Sequence, residues 1–173
     1  MSAVRREILF TEDRIAERVK AVAHQIATAP IKPHIAAPIL IGAYVFASDL
    51  LRALANEGIS LPTEFLWLRS YSGRSPAKDV AVLIGPNENF RGKNVLLIDG
   101  VLDGGHTIAK ARELVLDYGA SAVTSVVVVD KRHKDAAATA DYAAFTGVSD
   151  FIVGYGMDDS GNDRALPYIA KAG

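Results

Sequence analysis

The chain's 173 residues suit one folded domain and make two difficult, and half of them are hydrophobic, enough for a sizeable core of Val, Ile, Leu and Ala. A net charge of −1 with no long basic run argues against a large nucleic-acid footprint, and the apolar runs fall short of the roughly 18 residues that span a bilayer, so neither nucleic acid nor membrane is an expected partner. The absence of cysteine excludes disulfides, thiolate catalysis and cysteine-based zinc sites, and a charged opening stretch without an apolar h-region adds the expectation of a cytoplasmic protein.

Thr11 is expected to open the first helix, with Glu12 and Asp13 favourable at the positive end of its dipole. Ile15, Val19, Val22 and Ile26 recur at helical spacing, and Pro30 and Pro33 end the segment. Residues 38–41 form a short apolar run. At Gly42 a helical pattern begins, through Tyr44, Ala47, Leu51 and Leu54, and it closes near Gly58, giving strand, tight turn and helix. Strands are predicted at 65–68 and 79–84, separated by the Ser-, Gly- and Pro-rich loop SYSGRSPAK. Residues 94–98 are continuously apolar after Asn94, as in a central parallel strand buried on both faces. The loop GVLDGGHT leads into a helix whose Ile108, Ala111, Leu114, Val115 and Tyr118 share a face, with Gly119 at its C′ position. Residues 122–129 are the most strand-like run, and short strands are predicted near 143–145 and 151–153. Alternating strands and helices predict an α/β fold, an open, mostly parallel twisted sheet flanked by helices, with ligands at the carboxyl ends of the strands. Attention therefore falls on the loops after Ile41, Trp67, Ile98 and Val129.

The stretch VLLIDGVLDGGHTIAKARELV, residues 95–115, carries the most chemistry. A buried strand ends in Asp99, a loop holds Asp103, and Gly104 and Gly105 precede a helix opened by Thr107. Glycines before a helix N-terminus let successive N–H groups converge on an anion, and the helix dipole adds to the attraction. The segment lacks the Lys-Ser/Thr ending of a Walker A loop and the spacing of a dinucleotide fingerprint. Like charges repel, so Asp103 is unsuited to bind the phosphate itself. It is better suited to hold a cation or exchange a proton with a substrate.

The same segment resembles the phosphoribosyl pyrophosphate motif of the type I phosphoribosyltransferases, an apolar strand, two acids, two apolar residues, Asp, a small residue, Gly, any residue and Thr. It matches at residues 95–99, at Val101, Leu102 and Asp103, and at Gly105 and Thr107. It departs at Gly100, where the family has a second acid, and at Gly104, where the family has Thr or Ser. ILFTEDRIAERV, FLWLRSYSG, VVVVDKRHK and FIVGYGMDD…RALPYI are similar, in the same order, to segments of the hypoxanthine-guanine phosphoribosyltransferases.

That resemblance implies a single phosphoribosyltransferase domain over residues 1–173, with a hood formed by about 1–15 and 145–173. It implies purine salvage, the transfer of the phosphoribosyl group from phosphoribosyl pyrophosphate to a 6-oxopurine, with Mg2+ as cofactor and a homo-oligomer, dimer or tetramer, as the assembled state. Residue by residue, Asp103 matches the proton acceptor. Asp99, Asp103, Gly104, Gly105, His106 and Thr107 match the phosphoribosyl-binding loop, with His106 expected to face solvent. Lys131, Phe151, Ile152 and Asp158 match the purine site, where Lys131 would donate to the 6-oxo group and disfavour adenine. Gly42, Ser70, Tyr71 and Arg164 match the pyrophosphate site, Ser70 and Tyr71 as part of a closing lid. Asp99 and Asp158 match the metal-binding acids. Gly100 leaves Asp99 alone for the ribose hydroxyls and their metal, and Ile41 stands where the family commonly has Lys. These two departures keep open a weak or silent nucleotide-binding homologue, and a transferase for another base such as xanthine is a further alternative.

Overall fold

The computed structural model describes residues 6–70 and 80–172. Helix α1, Glu12–Thr28, starts where Thr11 caps it, the Thr11 hydroxyl accepting from the Arg14 amide. Its apolar stripe of Ile15, Val19, Val22, Ala23 and Ile26 is buried. Helix α2, Tyr44–Asn56, follows strand β2, Ile35–Leu40, after one tight turn. Helix α3, His106–Asp117, follows β5, Asn94–Leu102, and buries Ile108, Ala111 and Val115.

Six strands form the main sheet in the order β4-β3-β2-β5-β6-β7, with β3 at Leu66–Ser70, β4 at Val80–Ile84, β6 at Ala122–Asp130 and β7 at Tyr142–Thr146. All neighbours run parallel except β3 and β4, which are antiparallel. One core lies between the sheet and helices α1 and α2, and a second lies under α3 with Phe90. A smaller antiparallel sheet orders β1 (Ile8–Phe10), β9 (Ile169–Lys171) and β8 (Ile152–Val153). No helix among the described residues is long and apolar enough to cross a membrane.

Two strands extend three or more residues beyond what their sequences predict. β2 begins at Ile35 rather than at Pro38, because Ala36 and Ala37, poor strand formers on their own, pair with Leu96 and Leu97 of β5. β5 continues past Ile98 to Leu102, because Val101 and Leu102 keep their partners Val129 and Asp130 on β6. Gly100 within it reads as a loop signal, yet the sheet neighbours hold it extended. Phe151 lies outside β8, which starts at Ile152. Strands β1 and β9 carry no period of their own and exist by pairing across the length of the chain, Ile8 with Ala170 and Phe10 with Ile169.

From β2 the chain steps outward to β3, and from β5 it steps the other way to β6 and β7. The connections thus diverge between β2 and β5, and a crevice opens at their carboxyl ends.

Candidate active site

On the α3 side of the crevice, β5 ends at Leu102 and three residues, Asp103, Gly104 and Gly105, reach the helix. Gly105 is the N-cap, with φ of 74°, and it offers no side chain to cap the first-turn amides, which leaves those donors for a ligand. A Cβ at this position would lie 2.6 Å from the Ala138 nitrogen and 2.8 Å from its oxygen, so both conformation and space demand glycine. The Ala137 amide also donates to the Gly104 carbonyl at 2.8 Å. The alanine-rich run after His133 is therefore the back wall of this loop, a role its composition alone does not signal. His106 does not stand out in solvent as expected. It is partly buried, and its ring closes to 3.2 Å of where a Gly104 Cβ would sit. Asp99, Asp103, Gly104, Gly105, His106 and Thr107 line a hollow of about 260 Å³.

Asp99 sits at the floor of the crevice and borders this hollow and both adjoining clefts. Burial pushes its carboxyl up to about 7, against the opposing effect of the Gly100 amide, which donates to its Oδ1 at 2.7 Å. Among the described residues no cationic side chain pairs with it. Gly100 is closely packed, since a Cβ there would meet the Gly42 carbonyl oxygen at 3.1 Å. Gly156, with φ of 100°, also packs on that oxygen, which a Cβ there would overlap. Three glycines thus bring the turn after β2, strand β5 and the 154–157 segment into contact. The Leu40–Ile41 peptide before this turn is cis. Ile41, Gly42, Arg69, Asp99, Asp158 and Arg164 border a cleft of about 360 Å³.

The register of β5 on β6, Val101 opposite Val129 and Leu102 opposite Asp130, carries Asp103 and Lys131 out of the sheet side by side. The Lys131 Nζ donates to Asp103 Oδ2 at 2.8 Å, and the His133 Nε2 lies 2.9 Å from Oδ1. The Lys131 side chain is 7% exposed and that of Asp103 57%, so a buried cation points at a carboxylate on the rim. Phe151, 60% exposed, presents its ring at the same cleft, while Ile152 is buried behind it in β8. Asp158 is engaged through both oxygens, Oδ1 with Arg164 at 2.7 Å and Oδ2 with the Gly161 amide at 2.7 Å. Arg164 also donates to the Gly156 carbonyl at 2.7 Å. Gly42, Asp99, Asp103, Lys131, Phe151, Ile152, Asp158 and Arg164 share this cleft of about 480 Å³ with Met157 and Ser160.

The structure thus gathers every described candidate residue at one edge of the sheet, apart from Ser70, of which only the backbone at the end of β3 is described. Tyr71 lies outside the described residues. Sequence reasoning passed over His133, which has no metal-ligand spacing, and Gly156, whose flanking GYG pattern was a signal for a positive φ. A comparably large cavity between α1, α2 and residues 165–167 contains none of the candidate residues.

The chain matches the phosphoribosyl transferase domain family over residues 6–160. It is 31% identical over 170 residues to the hypoxanthine-guanine phosphoribosyltransferase of Dictyostelium discoideum, an alignment spanning 96% of this chain and 94% of that protein. It is 30% identical over 171 residues to the hypoxanthine phosphoribosyltransferase of Escherichia coli, spanning 95% and 94%. Among solved structures, the hypoxanthine phosphoribosyltransferase of Trypanosoma cruzi in complex with the product IMP superposes with a TM-score of 0.87 at 27% identity, covering 100% of this chain and 97% of that one. The cradle before α3, the carboxylate–lysine pair beside it and these likenesses agree, and the chain belongs to the phosphoribosyltransferase family, among its hypoxanthine-guanine members.

Proposed function

We propose that this enzyme transfers the phosphoribosyl group of phosphoribosyl pyrophosphate to a 6-oxopurine, hypoxanthine or guanine, releasing pyrophosphate. The observation that carries this reading is the juxtaposition, in one crevice, of an uncapped helix N-terminus behind Gly105 with the Asp103–Lys131 pair. The 5′-phosphate is held by the first-turn amides of α3 and by Thr107. Lys131 donates to the 6-oxygen of the base, and Phe151 covers the ring face. As a ring nitrogen bonds to the anomeric carbon and the bond to pyrophosphate breaks, Asp103 accepts the ring's N–H proton. Arg164 has five N–H donors, so its contacts to Asp158 and Gly156 leave others for pyrophosphate oxygens.

The acids fit magnesium. Asp99 is a part-buried carboxylate without a cationic partner among the described residues, and Asp158 faces the same cleft. No group of three or more His, Cys, Asp or Glu gathers among the described residues, and Mg2+ characteristically takes one or two carboxylates plus substrate oxygens. When bound, it neutralises charge on the departing pyrophosphate. We place the reaction in the cytoplasm, a setting that a cysteine-free chain tolerates.

We assign the small sheet of β1, β8 and β9 as the hood over the base. A second copy of this chain is the proposed cover for the edge strand β4, where Val82, Leu83 and Ile84 are exposed. Light scattering coupled to size exclusion checks this, and a monomer at micromolar concentration would remove it.

The test of function is a steady-state assay with magnesium, the pyrophosphate donor and, separately, hypoxanthine, guanine, xanthine and adenine. Nucleotide formation from the 6-oxopurines and not from adenine supports the reading. Calorimetric binding of IMP with no transfer to any base would instead establish the silent nucleotide binder, the reading favoured by Gly100 and Ile41.

A further inference from the structure

Asp103 stands on a three-residue loop at the rim of the cleft, where an unassisted side chain would sample several rotamers. Two groups hold it, and both come from the connection after β6. That connection leaves the strand through Arg132, which adopts φ of 56° with its amide donating to Asp130 Oδ1 at 2.8 Å. The Lys131 amide donates to the Leu102 carbonyl at 3.0 Å, which fastens the bend against the end of β5. In this way Lys131 and His133, two residues apart, reach opposite oxygens of one carboxylate.

The two contacts differ in what substrate does to them. Under the function proposed above, on which this inference rests, Lys131 turns to the 6-oxygen of the base. Oδ2 is then freed to accept the ring proton, and the contact remaining to Asp103 is the one between Oδ1 and His133 Nε2. We infer that His133 is the positioning residue of Asp103, its Nε2 set 2.9 Å from Oδ1 so that Oδ2 stays aimed at the ring nitrogen while Lys131 is engaged elsewhere. His133 lines none of the three clefts, and it acts on the chemistry through Asp103. Its half-exposed ring adds little to the core, so its loss should leave the fold intact.

The experiment compares the full-length wild type with His133→Ala and His133→Gln, the glutamine restoring an N–H donor near the position of Nε2. Turnover of hypoxanthine, the donor KM and the melting temperature are measured for each. Removing one polar contact to a carboxylate at a half-exposed site should lower kcat of His133→Ala by about tenfold. Donor KM should change by less than about twofold, because donor contacts come from other loops. His133→Gln should recover most of the lost kcat. Wild-type kcat in His133→Ala overturns the inference, as does equal loss in both variants accompanied by a fallen melting temperature, which would mark His133 as merely structural. A wild type that makes no nucleotide from any 6-oxopurine overturns the proposed function and this inference with it. Loss confined to the histidine variant's donor KM overturns the inference alone.

Discussion

The loop at Gly105 and the charged cluster around Asp103 and Lys131 adjoin in the fold, yet they are prepared for a ligand in opposite ways. The loop is made of backbone. Its glycine is held at positive φ against Ala138, and no side chain caps its first-turn donors. The cluster is made of side chains that satisfy one another, Lys131 and His133 with Asp103 and Arg164 with Asp158. Under the proposed function, a phosphate would meet a site already formed, whereas a base and a pyrophosphate would exchange existing ion pairs for new ones. Damage to the first region should therefore cost both fold and binding, and damage to the second should cost chemistry with little change in stability.

The sharpest way to break the distinction is Gly105→Val. A β-branched residue would be forced to positive φ with its Cβ inside van der Waals contact of Ala138, so stability should fall by about 3 kcal/mol or more. IMP affinity in calorimetry should drop at least about a hundredfold, since the converging N–H groups are lost. Unchanged IMP affinity would mean that the phosphate binds elsewhere.

Lys131→Ala probes the second region. Losing a charge-assisted hydrogen bond should cost roughly 1.5–3 kcal/mol, about ten- to a hundredfold in kcat/KM for hypoxanthine. Donor binding and melting temperature should change far less. If base use survived while the donor no longer bound, the assignment of loops to base and phosphate would be wrong by one position along the sheet.

Asp99 belongs to neither region, being a carboxylate held by the Gly100 amide and, among the described residues, without a cationic partner. Its pKa is raised in the folded protein to about 7 from 3.8, so the folded state retains a proton that the unfolded state has lost between these values. The sign follows from linkage: this group makes the ligand-free protein less stable as pH rises from about 4 to about 7, with no further change above. Asp99→Asn should thus match wild type in stability near pH 4 and exceed it by about 2 kcal/mol at pH 8, after a discount for partial solvent access. Denaturant titrations of both proteins across that range measure the gap. The same variant should lose transfer activity, which separates a stabilising change from a functional one.

The smallest expected effect is at Gly100. A second carboxylate would suit a hard cation, but an aspartate Cβ here would press within 3.1 Å of the Gly42 carbonyl, in the turn assigned to pyrophosphate. Gly100→Asp should therefore cost about 1 kcal/mol in stability and leave magnesium dependence no tighter than in wild type. A lower half-saturating magnesium concentration would show that the turn yields easily and that the missing acid limits the natural protein.

Much of this architecture was legible along the chain, because local physics writes it there. The stripe of Ile15, Val19, Val22 and Ile26 announces α1, the apolar run into Asp99 announces a buried strand, and paired glycines before Thr107 announce an anion site. Asp103 and Lys131 could be named from their motifs, but their 2.8 Å contact could not. It depends on the register of β5 on β6, which is set by pairing over a span of 28 residues. The alanine run behind Gly105, the extra length of β2 and β5, and the hold of His133 on Asp103 were invisible for the same reason. Periodicity and capping are interactions within a few residues, and a sequence displays them directly. Which carboxylate a histidine reaches, or which glycine an alanine packs against, is decided only when strands distant in the chain lie side by side.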